Sequence, residues 1–303
     1  MGLGSFKTAW QRQSKDFGHD RGSKYSCLIL DNRGEPPFIL ITYIGPNIFV
    51  GMGDSDKPAC RYSTSEMALD TIELVDHLGW KGERELNVVG ISMGGMIAQE
   101  MGLLIPDRIG SLSLISTAAR IVNTVGFVEN LRNRVNMFIP RPLDVQLSNV
   151  RAQLFSDSFL LEPDADALPT DPNAPPSESA ANGFPTNADR FAAQELIKRR
   201  SGNFTRRGFL LQAIAAGWHF KSDDQLRELG DRVGRERILV AHGTVDHMIT
   251  VPHADTLATA LGWEGGESEK GPKKVIVEGV GHVLIMERRK EFLALIEEMI
   301  ERG

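Results

Sequence analysis

Short apolar runs, bounded by glycine, proline or charged residues, recur along the chain and predict strands. They are rich in β-branched residues, and turn-forming or polar residues follow them. The predicted strands span residues 25–30, 86–89, 109–115, 237–242 and 274–277. The residues that carry candidate chemistry stand just beyond the ends of several of these strands.

Amphipathic stretches predict helices. Ser63-Thr64-Ser65-Glu66 has the pattern of a capping box, so it predicts the start of a helix, and Gly79 predicts its end. Residues 190–217 also have a helical pattern. This stretch has an apolar face that consists of Phe209, Leu210, Leu211, Ile214 and Trp218. Core packing is the favoured prediction for this face, contact with a substrate is the alternative, and a cap helix could do both.

The gap between the third and fourth predicted strands is too long for an ordinary connection. Residues 118–236 are therefore predicted to form a cap with its own helices, over a core made of residues 1–117 and 237–303. Within the gap, residues 162–187 carry several prolines among acidic and small residues. That composition predicts a mobile loop.

A G-x-S-x-G motif, Gly90-Ile91-Ser92-Met93-Gly94, joins a predicted strand to a helical pattern at residues 96–101. A serine at such a sharp strand-to-helix turn projects its hydroxyl above the sheet edge. Gly90 and Gly94 allow strand and helix to approach closely. The motif predicts that Ser92 is a nucleophile, and the alternative is a glycine-rich connection of an ordinary α/β sheet.

A serine nucleophile requires a base and an acidic residue that orients the base. Asp246 stands on the loop after the strand at 237–242, and His282 stands in a glycine-flanked loop after the strand at 274–277. Taken alone, Asp246 could be a turn residue and His282 an ordinary loop histidine. Their order after Ser92, each beyond a strand, favours a triad. The other histidines, among them His242 and His253, fit this position less well.

The motifs G-I-S-M-G-G at 90–95, H-G-T-V-D at 242–246, G-V-G-H at 279–282 and D-N-R-G at 31–34 carry a resemblance. The chain resembles the α/β-hydrolase superfamily, most of all fungal proteins of the α/β-hydrolase-1 type. More distantly, it is similar to 3-oxoadipate enol-lactonases and esterases. The resemblance implies an α/β-hydrolase fold, with a mostly parallel sheet flanked by helices and a helical cap.

The same resemblance implies the roles of the site residues. Ser92 would be the nucleophile, His282 the general base and Asp246 the residue that orients it. The aspartate nucleophile of haloalkane dehalogenases and epoxide hydrolases is excluded by Ser92. Met93 and Leu3 would supply backbone N–H groups to the oxyanion hole, since Met1-Gly2-Leu3-Gly4-Ser5 resembles the family's oxyanion loop.

The resemblance predicts two abnormalities in the N-terminal part. The family's first three strands, which precede the oxyanion loop, have no counterpart here, which favours a truncated gene over a natural variant. Residues 35–51 separate two family motifs that are normally continuous. They read either as a translated short intron or as an insert whose residues 38–44 form a real strand, and even a translated intron could fill the vacant sheet position.

Composition narrows the function classes. The 303 residues suffice for one large domain or a core with a cap. A net charge of −6 argues against a nucleic-acid partner. The two cysteines, Cys27 and Cys60, imply neither a disulfide framework nor a metal site. No apolar run approaches the length of a membrane span, so a cytoplasmic protein is expected.

The sequence therefore predicts a serine hydrolase that needs no cofactor or metal. Its substrate would be a small apolar ester or lactone, and its oligomeric state is left open. A catalytically impaired remnant is the alternative, because missing strands and the insert would leave the oxyanion hole unformed. A non-hydrolytic scaffold or receptor is a third interpretation. Its usual mark is loss of a triad residue, and this sequence keeps all three.

Overall fold

The structure is a computed structural model that describes residues 3, 5, 7–31, 37–43, 62–122, 142–164, 184–200, 204–266 and 268–303. Residues 165–183, which form most of the predicted mobile loop, lie outside the described residues. So do residues 35–36 and 44–51 of the insert, together with Cys60.

The described strands form one six-stranded sheet in the order β1-β2-β3-β4-β5-β6. The four strands β3 to β6 are parallel, whereas β2 runs antiparallel to both of its neighbours. The mostly parallel sheet of the prediction is therefore present. The strands are β1 (Tyr25–Asp31), β2 (Pro37–Tyr43), β3 (Leu86–Ile91), β4 (Ile109–Ile115), β5 (Ile238–Gly243) and β6 (Lys273–Val277).

Helices flank the sheet and fill much of the long gap after β4. Short 3-10 helices span Lys7–Trp10, Pro106–Arg108 and Arg235–Arg237, and a π-helical stretch spans Ser14–His19. The α-helices are α1 (Gln11–Gln13), α2 (Thr64–His77), α3 (Met93–Leu104), α4 (Leu143–Leu154), α5 (Asp157–Leu161), α6 (Asn187–Arg200), α7 (Arg206–Trp218), α8 (Asp223–Val233), α9 (Val251–Ala260), α10 (Leu284–Glu287) and α11 (Arg289–Arg302).

The predicted capping box is present at the start of α2. Ser63 Oγ accepts a hydrogen bond from the backbone N–H of Glu66 at 3.2 Å, and the Glu66 carboxylate accepts one from the Ser63 N–H at 2.6 Å. Gly79, just beyond the helix, has φ +78°, a conformation that glycine adopts without strain. Both predicted ends of this helix are confirmed.

The insert contributes a strand at residues 37–43, as both the strand interpretation and a translated intron that fills the vacant position allow. β2 lies between β1 and β3, with Ile39 paired to Val89 and Thr42 paired to Leu86. In the family that the chain resembles, the third strand lies between the two strands that correspond to β1 and β3, so β2 occupies the position predicted to be vacant. The backbone groups of β1 and β3 that face this position therefore have partners, and the structure does not test the intron interpretation.

The core lies on both faces of the sheet, because neighbouring residues of a strand point to opposite sides. Val88 and Val240 join one buried cluster, and Val89 and Ala241 join the other. Helices α2, α3, α8 and α9 cover the first face, and α11 covers the second. Burial of each aliphatic side chain contributes about 1.5–3 kcal/mol. The ends of the parallel strands are thereby held rigidly.

The predicted helical stretch at 190–217 is divided between α6 and α7. Its apolar face is not the core surface that the pattern predicts. Leu211 packs against the core, but Trp218 is 67% exposed and Leu210 and Ile214 are more than one-third exposed. The core-packing prediction is therefore wrong for much of this face.

Candidate active site

Ser92 occupies a sharp turn between β3 and α3. Its φ of 56° and ψ of −121° are rare for a residue with a side chain, and the neighbouring structure holds it there. The Ser92 N–H donates to the Ile115 carbonyl at 2.9 Å. A Cβ on Gly90 would lie 2.3 Å from the Gly94 carbonyl oxygen, so only glycine permits this approach. The strand–turn–helix geometry predicted from the motif is therefore formed.

Thr117 fixes the turn from the neighbouring strand end. Its hydroxyl donates to the Ser92 carbonyl oxygen at 2.6 Å. A Cβ on Gly95 would lie 2.6 Å from the Thr117 side chain, so a small residue is needed there too. The sequence analysis missed Thr117, because only the pairing of β3 with β4 brings it to the turn.

Asp246 lies three residues beyond β5 and is buried. Its Oδ1 accepts the backbone N–H groups of Met248 at 2.8 Å and Ile249 at 2.9 Å. Its Oδ2 lies 2.7 Å from His282 Nδ1 and 3.1 Å from His242 Nε2. Burial alone would raise the pKa of Asp246, but the nearby charge and hydrogen bonds of the two histidines hold that pKa below its ordinary value. Asp246 is therefore an ionised carboxylate at neutral pH.

His282 lies in the loop after β6 and is also buried. Because Asp246 is an ionised acceptor, the hydrogen-bond network assigns a proton to His282 Nδ1. The other nitrogen, Nε2, is then an unprotonated acceptor. It is buried and has no hydrogen-bond partner among the described residues. A buried lone pair without a donor is unusual in a folded protein and marks a candidate base.

Ser92, Asp246 and His282 stand beyond the carboxyl ends of β3, β5 and β6, which all belong to the parallel part of the sheet. Ile249, from the Asp246 loop, packs with Met96 of the helix that Ser92 begins. The three predicted triad residues therefore lie at the same edge of the sheet. The predicted hydrogen bond between Ser92 Oγ and His282 Nε2 is not formed in the described part of the chain.

The predicted oxyanion residues have different surroundings. Met93 is the first residue of α3, so its N–H has no acceptor within its own helix. Leu3 is half-buried, and its neighbours Gly2 and Gly4 lie outside the described residues. No hydrogen bond within the described ranges joins Leu3 to Ser92 or Met93. Leu3 as an oxyanion residue therefore stays a prediction.

Glu287 is a second residue that the sequence analysis missed. Its carboxylate accepts the backbone N–H of Gly281 at 3.0 Å and that of Ser156 at 3.2 Å, and it accepts the Ser156 hydroxyl at 2.5 Å. The Val283 N–H donates to the Leu154 carbonyl at 3.2 Å. Both neighbours of His282 are thus held through the segment at residues 154–156. Burial raises the pKa of Glu287, and the hydrogen bonds from Ser156 and Gly281 oppose this effect.

The described residues offer little for other kinds of site. No group of histidine, cysteine, aspartate or glutamate side chains in them could hold a metal ion. None of the described helices has the length and apolar character needed to cross a membrane. Cys27 is buried, and burial raises the pKa of its thiol to about 12, so it is not a reactive thiolate at neutral pH.

A family comparison identifies the class of protein. The sequence model described as the alpha/beta hydrolase fold matches residues 43–288, and the chain belongs to this family. The family assignment made from the motifs is confirmed. The match spans the strands that position Ser92, Asp246 and His282, and membership places the chain among hydrolases.

Individual relatives agree with this class. The chain is 25% identical to epoxide hydrolase A of Mycobacterium tuberculosis over 82% of this chain and 79% of that protein. It is 29% identical to 3-oxoadipate enol-lactonase 2 of Acinetobacter baylyi, but only over 39% of this chain and 36% of the lactonase. The match to the lactonase therefore spans about a third of that protein's length.

A solved structure supports the fold. A thermophilic esterase from Thermogutta terrifontis superimposes with a TM-score of 0.59, over 98% of this chain and 86% of the esterase, at 19% identity. At this identity, the similarity carries the fold alone. The α/β-hydrolase architecture predicted from the sequence is thus confirmed independently of the motifs.

Proposed function

We propose that the chain is a serine hydrolase that cleaves a carboxylic ester or a lactone through Ser92, His282 and Asp246. The observation that carries this proposal is the Asp246–His282 pair. An ionised carboxylate 2.7 Å from Nδ1 leaves Nε2 as a buried base without a partner, at the same sheet edge as the strained Ser92. This is the arrangement that a serine nucleophile requires.

In the proposed reaction, Ser92 Oγ attacks the carbonyl carbon while His282 Nε2 takes its proton. The resulting imidazolium is stabilised by the Asp246 carboxylate. The negative charge on the carbonyl oxygen is stabilised by the Met93 N–H, together with a second N–H near Leu3. The tetrahedral intermediate then collapses, and the leaving alkoxide takes the proton from His282.

Water completes the proposed cycle. His282 Nε2 removes a proton from the attacking water, the acyl–serine bond breaks, and the proton returns to Ser92 Oγ. The first proton transfer requires Ser92 Oγ to come within about 2.6–3.2 Å of Nε2. In the proposed cycle, substrate binding would bring these two atoms together.

The cap is part of the proposal. The part of residues 118–236 that would cover the site is helices α4 to α7, whereas α8, which also falls within this range, packs on the first face of the sheet. Ala216 of α7 packs against the cluster formed by Met96 and Ile249 beside the Ser92 helix. Such a neighbour supports a small, apolar acyl or lactone group. The relative named as an enol-lactonase supports the lactone class.

A non-catalytic family member is the second candidate. It is favoured by one observation, because the Ser92–His282 hydrogen bond is not formed among the described residues. The two candidates differ in one property: only the hydrolase turns over an ester once the chain is folded.

Hydrolysis of p-nitrophenyl butyrate and of a small lactone tests the proposal. The wild type should turn over at least one of them, and Ser92→Ala should lower kcat at least about 10³-fold. Ser113→Ala is a matched control, because Ser113 is equally buried on β4 and its hydroxyl has no partner in the described structure. Equal activity of Ser92→Ala and Ser113→Ala would contradict the proposal.

A further inference from the structure

His242 is a buried histidine of β5 to which the proposed reaction gives no role. Its side chain is fully buried, and its Nε2 lies 2.5 Å from the Ile249 carbonyl oxygen and 3.1 Å from Asp246 Oδ2. Both neighbours are acceptors. Nε2 must therefore carry a proton and share it between them.

The Asp246 carboxylate then has four donors around it. The amides of Met248 and Ile249 occupy Oδ1, and the rings of His282 and His242 occupy Oδ2. A carboxylate offers about four acceptor sites, so this one is fully used. The two histidines share a single oxygen, and His242 therefore competes with His282 for its charge.

We propose that His242 is a positioning residue that, by donating to Asp246 Oδ2, limits the negative charge available to His282 and so sets the pH at which His282 can accept a proton. The inference rests on the proposed function, since it concerns the base of that reaction. Hydrogen bonds to a carboxylate stabilise its charge and weaken its pull on other protons. A ring that donates to Asp246 therefore reduces the stabilisation that Asp246 gives to a His282 imidazolium.

The second contact of His242 adds a geometric role. Its N–H to the Ile249 carbonyl joins β5 to the far end of the Asp246 loop, while the Ile249 N–H is bonded to Asp246 itself. The short segment from Asp246 to Ile249 is thus held both to its own carboxylate and to β5. The other nitrogen of the ring, Nδ1, is buried and has no partner among the described residues. The contacts described for this ring are therefore made by Nε2, to the loop that carries Asp246.

His253 of α9 is a titratable group that shares electrostatic interactions with both His242 and Asp246. Burial lowers the pKa of His253, while its hydrogen bonds with Thr250 and Val122 oppose this effect. A lowered pKa keeps His253 neutral at neutral pH, so it adds no positive charge that could take over the role of His242.

The test is the pH dependence of kcat/KM in the wild type, His242→Phe and His242→Gln, each as the full chain. His242→Phe keeps a ring of similar size but removes the donor. Asp246 then stabilises the imidazolium of His282 more strongly, so activity begins to fall at a higher pH. We expect the midpoint of the acid limb to move upward by about half a pH unit or more. In His242→Gln the amide N–H can donate to Asp246, so the midpoint should return towards that of the wild type.

His219→Phe is the matched control, because His219 is an equally buried histidine that contacts Thr64 and Glu100. Burial lowers the pKa of His219 to about 3, so it is neutral across the assay range. The control should leave the acid limb in place. An acid limb that stays unmoved in His242→Phe, or that moves equally in His219→Phe, would overturn the inference.

A second measurement separates this inference from the proposed function. The proton on His282 Nδ1 can be followed by NMR in each folded variant, without any substrate. A pH-dependent change that occurs at higher pH in His242→Phe supports the inference even in a chain without turnover. Turnover abolished by Ser92→Ala, combined with identical NMR titrations of the wild type and His242→Phe, would uphold the function and overturn the inference.

Discussion

Glu287 accepts a hydrogen bond from the backbone N–H of Gly281, the residue immediately before His282, at 3.0 Å. The same carboxylate holds Ser156 through its N–H and its hydroxyl. A Cβ on Gly281 would lie 2.8 Å from Glu287 Oε1 and from the Leu154 carbonyl oxygen, so the three segments are in close contact. The loop that carries the proposed base is therefore fixed to the polypeptide between α4 and α5.

Replacing Glu287 should misplace His282 as well as destabilise the fold. Glu287→Ala leaves the N–H groups of Gly281 and Ser156 without their acceptor, which should cost about 1–3 kcal/mol in urea unfolding. Turnover should fall in kcat more than in KM. Ser156→Ala is the control, because it removes the hydroxyl contact with Glu287 and the cap of α5 at the Phe159 N–H but keeps both backbone hydrogen bonds to Glu287, so kcat should fall less. Equal kcat in the wild type and Glu287→Ala would contradict a positioning role.

The raised pKa of Glu287 makes a prediction about stability and pH. A carboxyl whose pKa is raised on folding contributes stability that is present below its unfolded pKa and lost as pH rises through its folded pKa. The difference in free energy of unfolding between the wild type and Glu287→Gln should therefore favour the wild type more at acidic than at neutral pH. Urea titrations at a series of pH values measure it, and a difference that grows with pH would be the wrong sign.

Asp246→Asn should abolish most of the activity while preserving the packing. An amide in place of the carboxylate cannot stabilise an imidazolium, and its N–H2 group would favour the wrong tautomer of His282. The expected loss of kcat is roughly 10⁴-fold at neutral pH. The variant's fold is checked by its unfolding transition. A loss smaller than about tenfold in a folded variant would remove Asp246 from the proposed mechanism.

The lowered pKa of Asp246 has the opposite consequence for stability. Its contribution is present above the unfolded pKa and is lost as pH falls through the folded one. The free energy of unfolding of the wild type relative to Asp246→Asn should therefore decrease as the solution is acidified. Urea unfolding of both forms at acidic and neutral pH measures this difference. A pH-independent difference would indicate that folding does not lower the pKa of the Asp246 carboxyl.

Replacing either of two glycines with alanine should change the free energy of unfolding in opposite directions. In Gly90→Ala the new Cβ would meet backbone atoms of Gly94 and Gly95, so the turn must shift, and the cost should exceed about 2 kcal/mol. Gly217 lies in α7, and a Cβ there would meet nothing within 4 Å. Gly217→Ala should therefore stabilise the chain by up to about 1 kcal/mol. Similar unfolding midpoints for the two variants would contradict the geometry of the turn.

Local patterns were sufficient for the strands and for the order of the site residues. Strands buried on both faces, such as β4 and β5, appear as continuous apolar runs, so their positions could be predicted from the sequence alone. The turn at Ser92 could also be predicted, because Gly90 and Gly94 indicate that the strand and the helix on either side of Ser92 approach closely. The apolar, β-branched residues 38–44 predict the insert strand as one of two alternatives, and the absence of the family's third strand indicates the position between β1 and β3 that it could fill.

Contacts between residues far apart in the sequence could not be predicted from local patterns. The roles of His242 and Glu287 depend on how loops close around Asp246 and His282, and neither residue belongs to a local motif that signals it. The exposure of Trp218 depends on which neighbours cover α7, and an amphipathic pattern does not specify them. The assignment of Leu3 depends on the chain around it, most of which lies outside the described residues.

The most direct test of the account is the site at which a fluorophosphonate probe attaches to the folded full chain. The probe reacts only with a serine that a nearby base activates, so peptide mapping by mass spectrometry should place one adduct on Ser92. Ser92→Ala and a His282→Gln variant should both remain unlabelled, whereas Ser113→Ala should be labelled like the wild type. An adduct on another serine, or no adduct on a folded wild-type chain, would contradict the assignment of Ser92 as an activated nucleophile.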